Sequence, residues 1–240
     1  MIKKSAVLST SVLCCMLSAT AFAQDILPDE DNYAAPQTHY SPYVGDHFPN
    51  RVLFGDTHLH SSWSTDSGMA GGEAGPDVAY RVSRGETVTS TTGLRVQLIR
   101  PLDFIVLADH AENLGISDFI KRSDPICLAN EMCKRWHDMT KSGDGYDAFI
   151  EWLRADDRDQ VNEPRMMHSA WAKVVENADK YYLPGTFTTF HGFEWTSMPN
   201  GNNLHRVVIF RDGADKTSQI LPYSQYDSHD AEDLWEYMDG

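Results

Sequence analysis

The chain has 240 residues, with 20 Lys and Arg against 35 Asp and Glu and a formal net charge of −15. A hydrophobic fraction of 41% and an aromatic fraction of 11% can fill a core, which excludes global disorder, and the length suits one large domain or two small ones and is enough for an α/β barrel. The acidity, with no dense Lys/Arg run anywhere, excludes a nucleic-acid partner, because phosphate backbones are gripped by clustered cations.

Met1–Ala23 has the parts of an export signal: "MIKK" as the positive region, "SAVLSTSVLCCMLSA" as the apolar region, and "AFA" as a small-x-small cleavage site before Gln24. The apolar stretch is too short for a membrane span, so no stable membrane anchor is expected. Cys14 and Cys15 lie inside it without a preceding small-residue pair, which argues against lipidation. Cleavage would remove Lys3 and Lys4 and take the net charge from −15 to −17. The expected location is periplasmic or secreted. There Cys127 and Cys133, the two cysteines outside the signal, are expected to form a local disulfide. A metal or redox dithiol is the alternative, weakened by a spacing that is not C-x-x-C.

Residues 24–50, rich in Pro, Asp and Tyr and without a period, read as an extended lead-in to a domain spanning 51–240. The first strand is expected near Arg51–His58. "GPDVAYRVSRGE" reads as a helix opened by Pro76, with Val78 and Val82 on one face. "LDFIVLADH" is a compact apolar run, expected as a buried parallel strand. A helical region broken by "SDP" and "KSGDGYD" follows, and the strongest helix is expected over Glu163–Tyr182. "GTFTTFHGFEW" reads as one strand and "NLHRVVIFRD" as another, joined by the turn-forming "SMPNGNN"; a helix closes the chain. This alternation points to an α/β fold with a mainly parallel sheet.

Chemistry gathers at the strand ends. In "FGDTHLHSSWSTDSG", Asp56, His58 and His60 alternate, so a strand would put all three on one face, with Asp66 six residues further on. Asp109 and His110 end the second strand, Glu194 ends the third, and His205 starts or lies in the fourth. Imidazoles and carboxylates converging on one rim suit a divalent cation, and without a thiolate they do not discriminate sharply among Mn²⁺, Fe²⁺ and Zn²⁺. "ADDRDQ" (155–160) reads as a solvated acidic loop, because it lacks the Gly turn and downstream Glu of a calcium loop.

The ordered set "GDTHLHSSWSTD", "LDFIVLADH", "GFEW" and "NLHRVVIF" resembles the successive motifs of the PHP (polymerase and histidinol phosphatase) superfamily. It is most similar to an exported PHP-like branch catalogued as a domain of unknown function. The resemblance implies a distorted (β/α)7 TIM-like barrel holding two or three divalent ions and acting on phosphate esters. It implies His58 and His60 on a first ion, Glu194 bridging the first and second, His205 on the second, and His110 with Asp66 on a third. Asp56 would be a carboxylate that orients an imidazole. Asp109 would do the same or cap the segment after it. Arg206 would neutralise a small anionic ester substrate, or merely flank its strand. Trp63 and Trp195, beside these residues, would wall a pocket or fill the core.

The segment after Arg211 is read as offering His229 alone and no D-x-H, so the family's remaining ligands, another histidine and a D-x-H, are expected from chain beyond Gly240 and the barrel is expected to be incomplete at its C-terminus. The leading expectation is an exported metal-dependent hydrolase of phosphate esters. The alternatives are a non-catalytic periplasmic metal- or ligand-binding protein, and an inactive fragment of a longer hydrolase.

Overall fold

The first strand, β1 (Gly55–Leu59), begins later than the apolar run that leads to it. Val52, Leu53 and Phe54 are exposed instead of entering the core. The reason is local: the Phe54 N–H donates to the Asp103 carboxylate at 2.7 Å, so a side chain takes the place of a ladder partner. In the computed structural model the described residues are 51–154, 161 and 163–239. The export signal, the lead-in over 24–50 and the acidic loop 155–160 lie outside them.

β1 is followed by the short helix α1 (Thr65–Met69) and by α2 (Pro76–Ser83). α2 starts at the proline, as its fixed φ favours, but its buried face is Pro76, Ala79, Tyr80 and Ser83. Val78 and Val82, expected on the inward face, are only half-buried. Tyr80 claims the interior because it stacks on Tyr181 with ring centroids 5.2 Å apart, and the larger aromatic surface gains more from burial. A small antiparallel hairpin, β2 (Val88–Thr89) and β3 (Arg95–Val96), leads to β4 (Phe104–Leu107).

Four helices follow: α3 (Ile116–Lys121), α4 (Pro125–Ala129), α5 (Glu131–Ser142) and α6 (Gly145–Arg154). The breaks fall at the sequence's turn signals, with Asp124 and Asn130 accepting backbone N–H groups as N-caps of α4 and α5. Cys127 and Cys133 are bonded to each other, with Cα atoms 5.1 Å apart, and both are buried. α7 (Pro164–Tyr181) is capped by Glu163 and buries Met166, Ala170, Trp171, Val174, Val175, Ala178 and Tyr181, a stripe at helical spacing.

The run expected as one strand is two: β5 (Thr188–Phe190) and β6 (Gly192–Ser197). β1, β4 and β5 form a parallel sheet in the order β1-β4-β5. β6 pairs instead with β7 (Leu204–Ile209), antiparallel, through a 3₁₀ turn at Pro199–Gly201. The break needs Gly192, where a Cβ would meet Val106 Cγ1 at 2.5 Å and the Val208 carbonyl oxygen at 2.7 Å. Every residue of β6 is buried. The chain ends in α8 (Ala214–Thr217) and α9 (Ala231–Asp239). The fold is thus mixed α/β with a three-stranded parallel sheet, and the β6–β7 pair departs from the parallel expectation.

One apolar cluster joins α2, β4 and α7 through Ala79, Tyr80, Ile105, Leu107, Ala178, Tyr181 and Phe187. A larger one, built around Trp136, Trp171, Phe193 and Trp195, packs the helices against β6 and β7. Among the described residues no helix is long and apolar enough to cross a membrane.

Candidate metal centre

The chain leaving β1 is held against the end of β4 by a buried carboxylate. Asp109 accepts from the Ser61 N–H at 2.6 Å and from the Ser61 hydroxyl at 2.7 Å. A short residue after β1 is needed here, and serine supplies two donors at once. Ser64 makes the next tie: its hydroxyl donates to Asp66 Oδ1 at 2.5 Å and lies 3.1 Å from His60 Nδ1, while the His110 N–H donates to its oxygen at 3.1 Å. Asp66, in the first turn of α1, is thereby turned towards the strand ends. On the other side, β6 presents Glu194 and Thr196 to one face, as period-two alternation requires. Thr196 lies opposite His205 of β7.

Six side chains meet in this space. His58 Nε2 and His60 Nε2 lie 2.9 and 2.6 Å from Glu194 Oε2, and His205 Nδ1 lies 2.5 Å from Glu194 Oε1. His110 Nε2 is 3.7 Å from the same Oε2 and 3.6 Å from Asp66 Oδ2, and His60 Nδ1 is 3.2 Å from Asp66. Three overlapping groups result: His58, His60 and Glu194; His60, Asp66 and His110; His110, Glu194 and His205. In each, one donor atom per residue lies within 4.8 Å of the others, close enough to hold a metal ion. The six residues in these groups are the six candidate ligands read from the sequence.

The electrostatics describe a tightly coupled set. Burial pulls the His60 imidazole down, but Asp66 and Glu194 outweigh it and raise it to about 9. His110 is raised to about 10, again against burial, by Asp66 and Glu112. Burial works to raise the carboxylates too. It is outweighed: His110 and His60 hold Asp66 well below the ordinary carboxylate range, and His60, His110 and His58 hold Glu194 at about 2. Asp109 is pushed up by burial, which outweighs the hydrogen bonds from Ser61 and the pull of His60.

The residues fit a divalent ion on a specific point. Glu194 is 1% exposed, and its Oε2 is crowded by two imidazole nitrogens, His58 Nε2 at 2.9 Å and His60 Nε2 at 2.6 Å. A buried carboxylate with several imidazole nitrogens converging on its two oxygens is a donor set that a shared cation can occupy. Imidazole and carboxylate donors without sulfur match Mn²⁺, Fe²⁺ or Zn²⁺.

Residues 47–240 match the profile of the family described as "Protein of unknown function (DUF3604)". The chain belongs to that family. No curated protein and no solved structure matches it. The match runs from eight residues before β1 to the end of the chain, so the whole centre lies within the family domain.

Three other candidates stand apart from the cluster. Asp56 accepts from the His58 main-chain N–H at 2.8 Å, so it shapes the strand end and bonds no imidazole there. Among the described residues the Asp109 carboxylate fastens Ser61, where an imidazole or the segment after it was expected as its partner. Arg206 is exposed, pairs across the ladder with Trp195, and donates to the His205 carbonyl oxygen at 2.8 Å. Strand alternation puts it on the face opposite His205. Trp195 is core, its indole N–H donating to the Ser228 carbonyl oxygen, and Trp63 packs partly buried against the same core.

A D-x-H triplet does occur in the chain, at Asp227–His229. Neither residue belongs to the three donor groups; Asp227 accepts from the Ser224 N–H and hydroxyl. His191, of opposite parity to Glu194, is buried between Asp179 and Thr217, and His168 is exposed on α7.

Sequence reasoning missed Ser64, Thr196 and Glu112. Thr196 Oγ1 lies 2.8 Å from His110 Nδ1 and 3.3 Å from His205 Nδ1. The available signal was parity: Thr196 follows Glu194 by two, so it shares its face. Glu112 follows His110 by two, but in a turn, where parity carries no information.

Proposed function

We propose that this protein is an exported, divalent-metal-dependent hydrolase of phosphate esters, related to the PHP superfamily. The observation that carries the reading is Glu194: a buried carboxylate on which His58, His60 and His205 nitrogens converge within 2.9 Å. In this reading His58, His60, Glu194 and His205 would hold two ions, with Glu194 as the carboxylate common to them. His110 and Asp66 serve a third, and Mn²⁺, Fe²⁺ or Zn²⁺ fills the set. β1, β4 and β5 would be the first strands of a distorted (β/α)7 barrel whose rim carries the centre.

The bound ions would supply Lewis acidity, polarising an ester oxygen and acidifying water. The chain's own part is to fix the donors. Asp109 and Ser61 hold the end of β1, Ser64 orients Asp66, and the β6–β7 ladder sets Glu194 against His205. No Ser or Cys nucleophile is required. Export is supported by the Met1–Ala23 signal pattern and by the Cys127–Cys133 bond, which belongs in an oxidising compartment.

A second reading, binding without turnover, is favoured by Arg206. The one side chain proposed to neutralise a substrate anion lies on the far face of β7. One experiment separates the two. Purified protein is assayed for Mn, Fe and Zn and for hydrolysis of phosphomono- and diesters with added Mn²⁺. Bound metal with turnover, both lost in a His58→Ala/His60→Ala double variant, is expected. Metal without turnover leaves the binding reading, and no retained metal removes both.

A further inference from the structure

We infer that Glu112 is a positioning residue for His110, keeping the proton on Nδ1 so that Nε2 is left to face the donors Asp66 and Glu194. The inference rests on the metal-centre reading and deepens it. Glu112 is 2% exposed, deep enough that its carboxylate must answer to specific partners. Its Oε1 accepts two main-chain N–H groups, from Thr196 at 3.2 Å and Gln225 at 3.0 Å, so the group cannot swing away. Its Oε2 is buried, meets no other hydrogen-bond partner among the described residues, and lies 3.4 Å from His110 Nδ1, an ion-pair contact.

Thr196 Oγ1 also approaches Nδ1, at 2.8 Å. A hydroxyl can donate or accept and therefore leaves the imidazole tautomer open, whereas the two main-chain N–H groups on Oε1 mark the Glu112 carboxylate as an acceptor. Glu112 thus decides which ring nitrogen carries the proton. A ligand histidine whose second nitrogen is held by a carboxylate presents a fixed lone pair to an ion. The main chain aids the aim: Asn113, next in sequence, adopts a left-handed φ of 56°, and its amide is tied to the Val161 carbonyl and the Trp152 indole. The same carboxylate therefore joins a candidate ligand to the Gln225 segment, 113 residues away.

The test is Glu112→Gln, which keeps size and shape. Its carbonyl oxygen must take the Oε1 place against the two N–H groups, so its NH₂ faces Nδ1 as a donor and favours the wrong tautomer. Zn²⁺ affinity is measured by competition with a chromophoric chelator, and the His110 ring by ¹⁵N NMR of the Zn²⁺-loaded protein. The expected result is affinity weakened about 10- to 100-fold, with the Nδ1–H signature lost and metal-free thermal unfolding little changed. As a control that does not depend on that variant, Thr196→Val should keep the Nδ1–H signature. Unchanged affinity and ring shifts in Glu112→Gln overturn the inference while leaving the metal centre standing. So does a Thr196→Val protein that loses the signature, since the hydroxyl would then be the determinant. A wild-type protein that binds no Zn²⁺ overturns the inference together with the reading it rests on.

Discussion

His110 and Glu194 meet twice: their main chains form a parallel bridge, and their side chains approach to 3.7 Å between Nε2 and Oε2. The bridge is closed by the Ala111 N–H donating to the Glu194 carbonyl at 2.8 Å and the Glu194 N–H donating to the Asp109 carbonyl at 3.0 Å. The spacing of these two donors is therefore set by a backbone ladder rather than by flexible side chains, which pre-organises the centre.

Because Glu194 is common to His58, His60, His110 and His205, replacing it should hurt more than replacing any one imidazole. Glu194→Gln is expected to weaken Zn²⁺ binding by more than the roughly 10–100-fold that loss of an outer partner costs. Isothermal titration against His58→Ala, whose ring is half exposed, checks the order.

The metal-free protein should lose stability as pH rises. His60 and His110 have folded values above the ordinary 6.5, so their contribution is complete below that pH and is lost through about 9 and about 10. Asp66 and Glu194 are lowered, so theirs is complete above the ordinary carboxylate range and is lost on acidification, for Glu194 through about 2. Melting temperature without metal should therefore peak in mildly acid buffer and decline towards pH 10. With Zn²⁺ the ion takes the place of ring protons, so the gap between loaded and metal-free melting temperatures should widen over the same rise. A gap that narrows would contradict the assignment.

Gly192→Ala places a methyl group against Val106 and the Val208 carbonyl oxygen. Overpacking of this kind costs about 1–3 kcal/mol, and because the strain falls two residues from Glu194, Zn²⁺ affinity should fall along with the urea midpoint. Retained affinity would mean that the β5–β6 break does not set the position of Glu194.

The Cys127–Cys133 bond closes a loop of sequence separation 6. Its removal by a Cys127→Ala/Cys133→Ala double variant should lower unfolding free energy by about 2 kcal/mol on loop entropy. None of the six cluster residues lies in that loop, so Zn²⁺ affinity should stay within about threefold, less than the 10-fold lower bound for an outer partner.

What could be read in advance was what depends on near neighbours in sequence. His58 and His60 share a face because alternation is local, and α7 and its Glu163–Pro164 start follow from spacing and cap chemistry. β4 was legible as an unbroken apolar run. The split between β5 and β6 was not, since it depends on how closely Gly192 approaches Val106 and Val208, contacts that no window of sequence contains. The inward face of α2 was misread because Tyr181, a hundred residues away, decides it. Arg206 looked useful by adjacency to His205, yet adjacency along a strand means opposite faces. Glu112 went unremarked because only the fold brings Gln225 and Thr196 to it.

The donors of the cluster run from His58 to His205, with β1 and β7 at the two extremes. No nascent or threaded chain can therefore offer the assembled set until residue 205 has joined the fold. On the proposed reading of an exported chain, and with passage across the membrane before folding, ion capture would be postponed to the far side. The ion it carries would be chosen by the supply where folding finishes, not by the pool surrounding the ribosome.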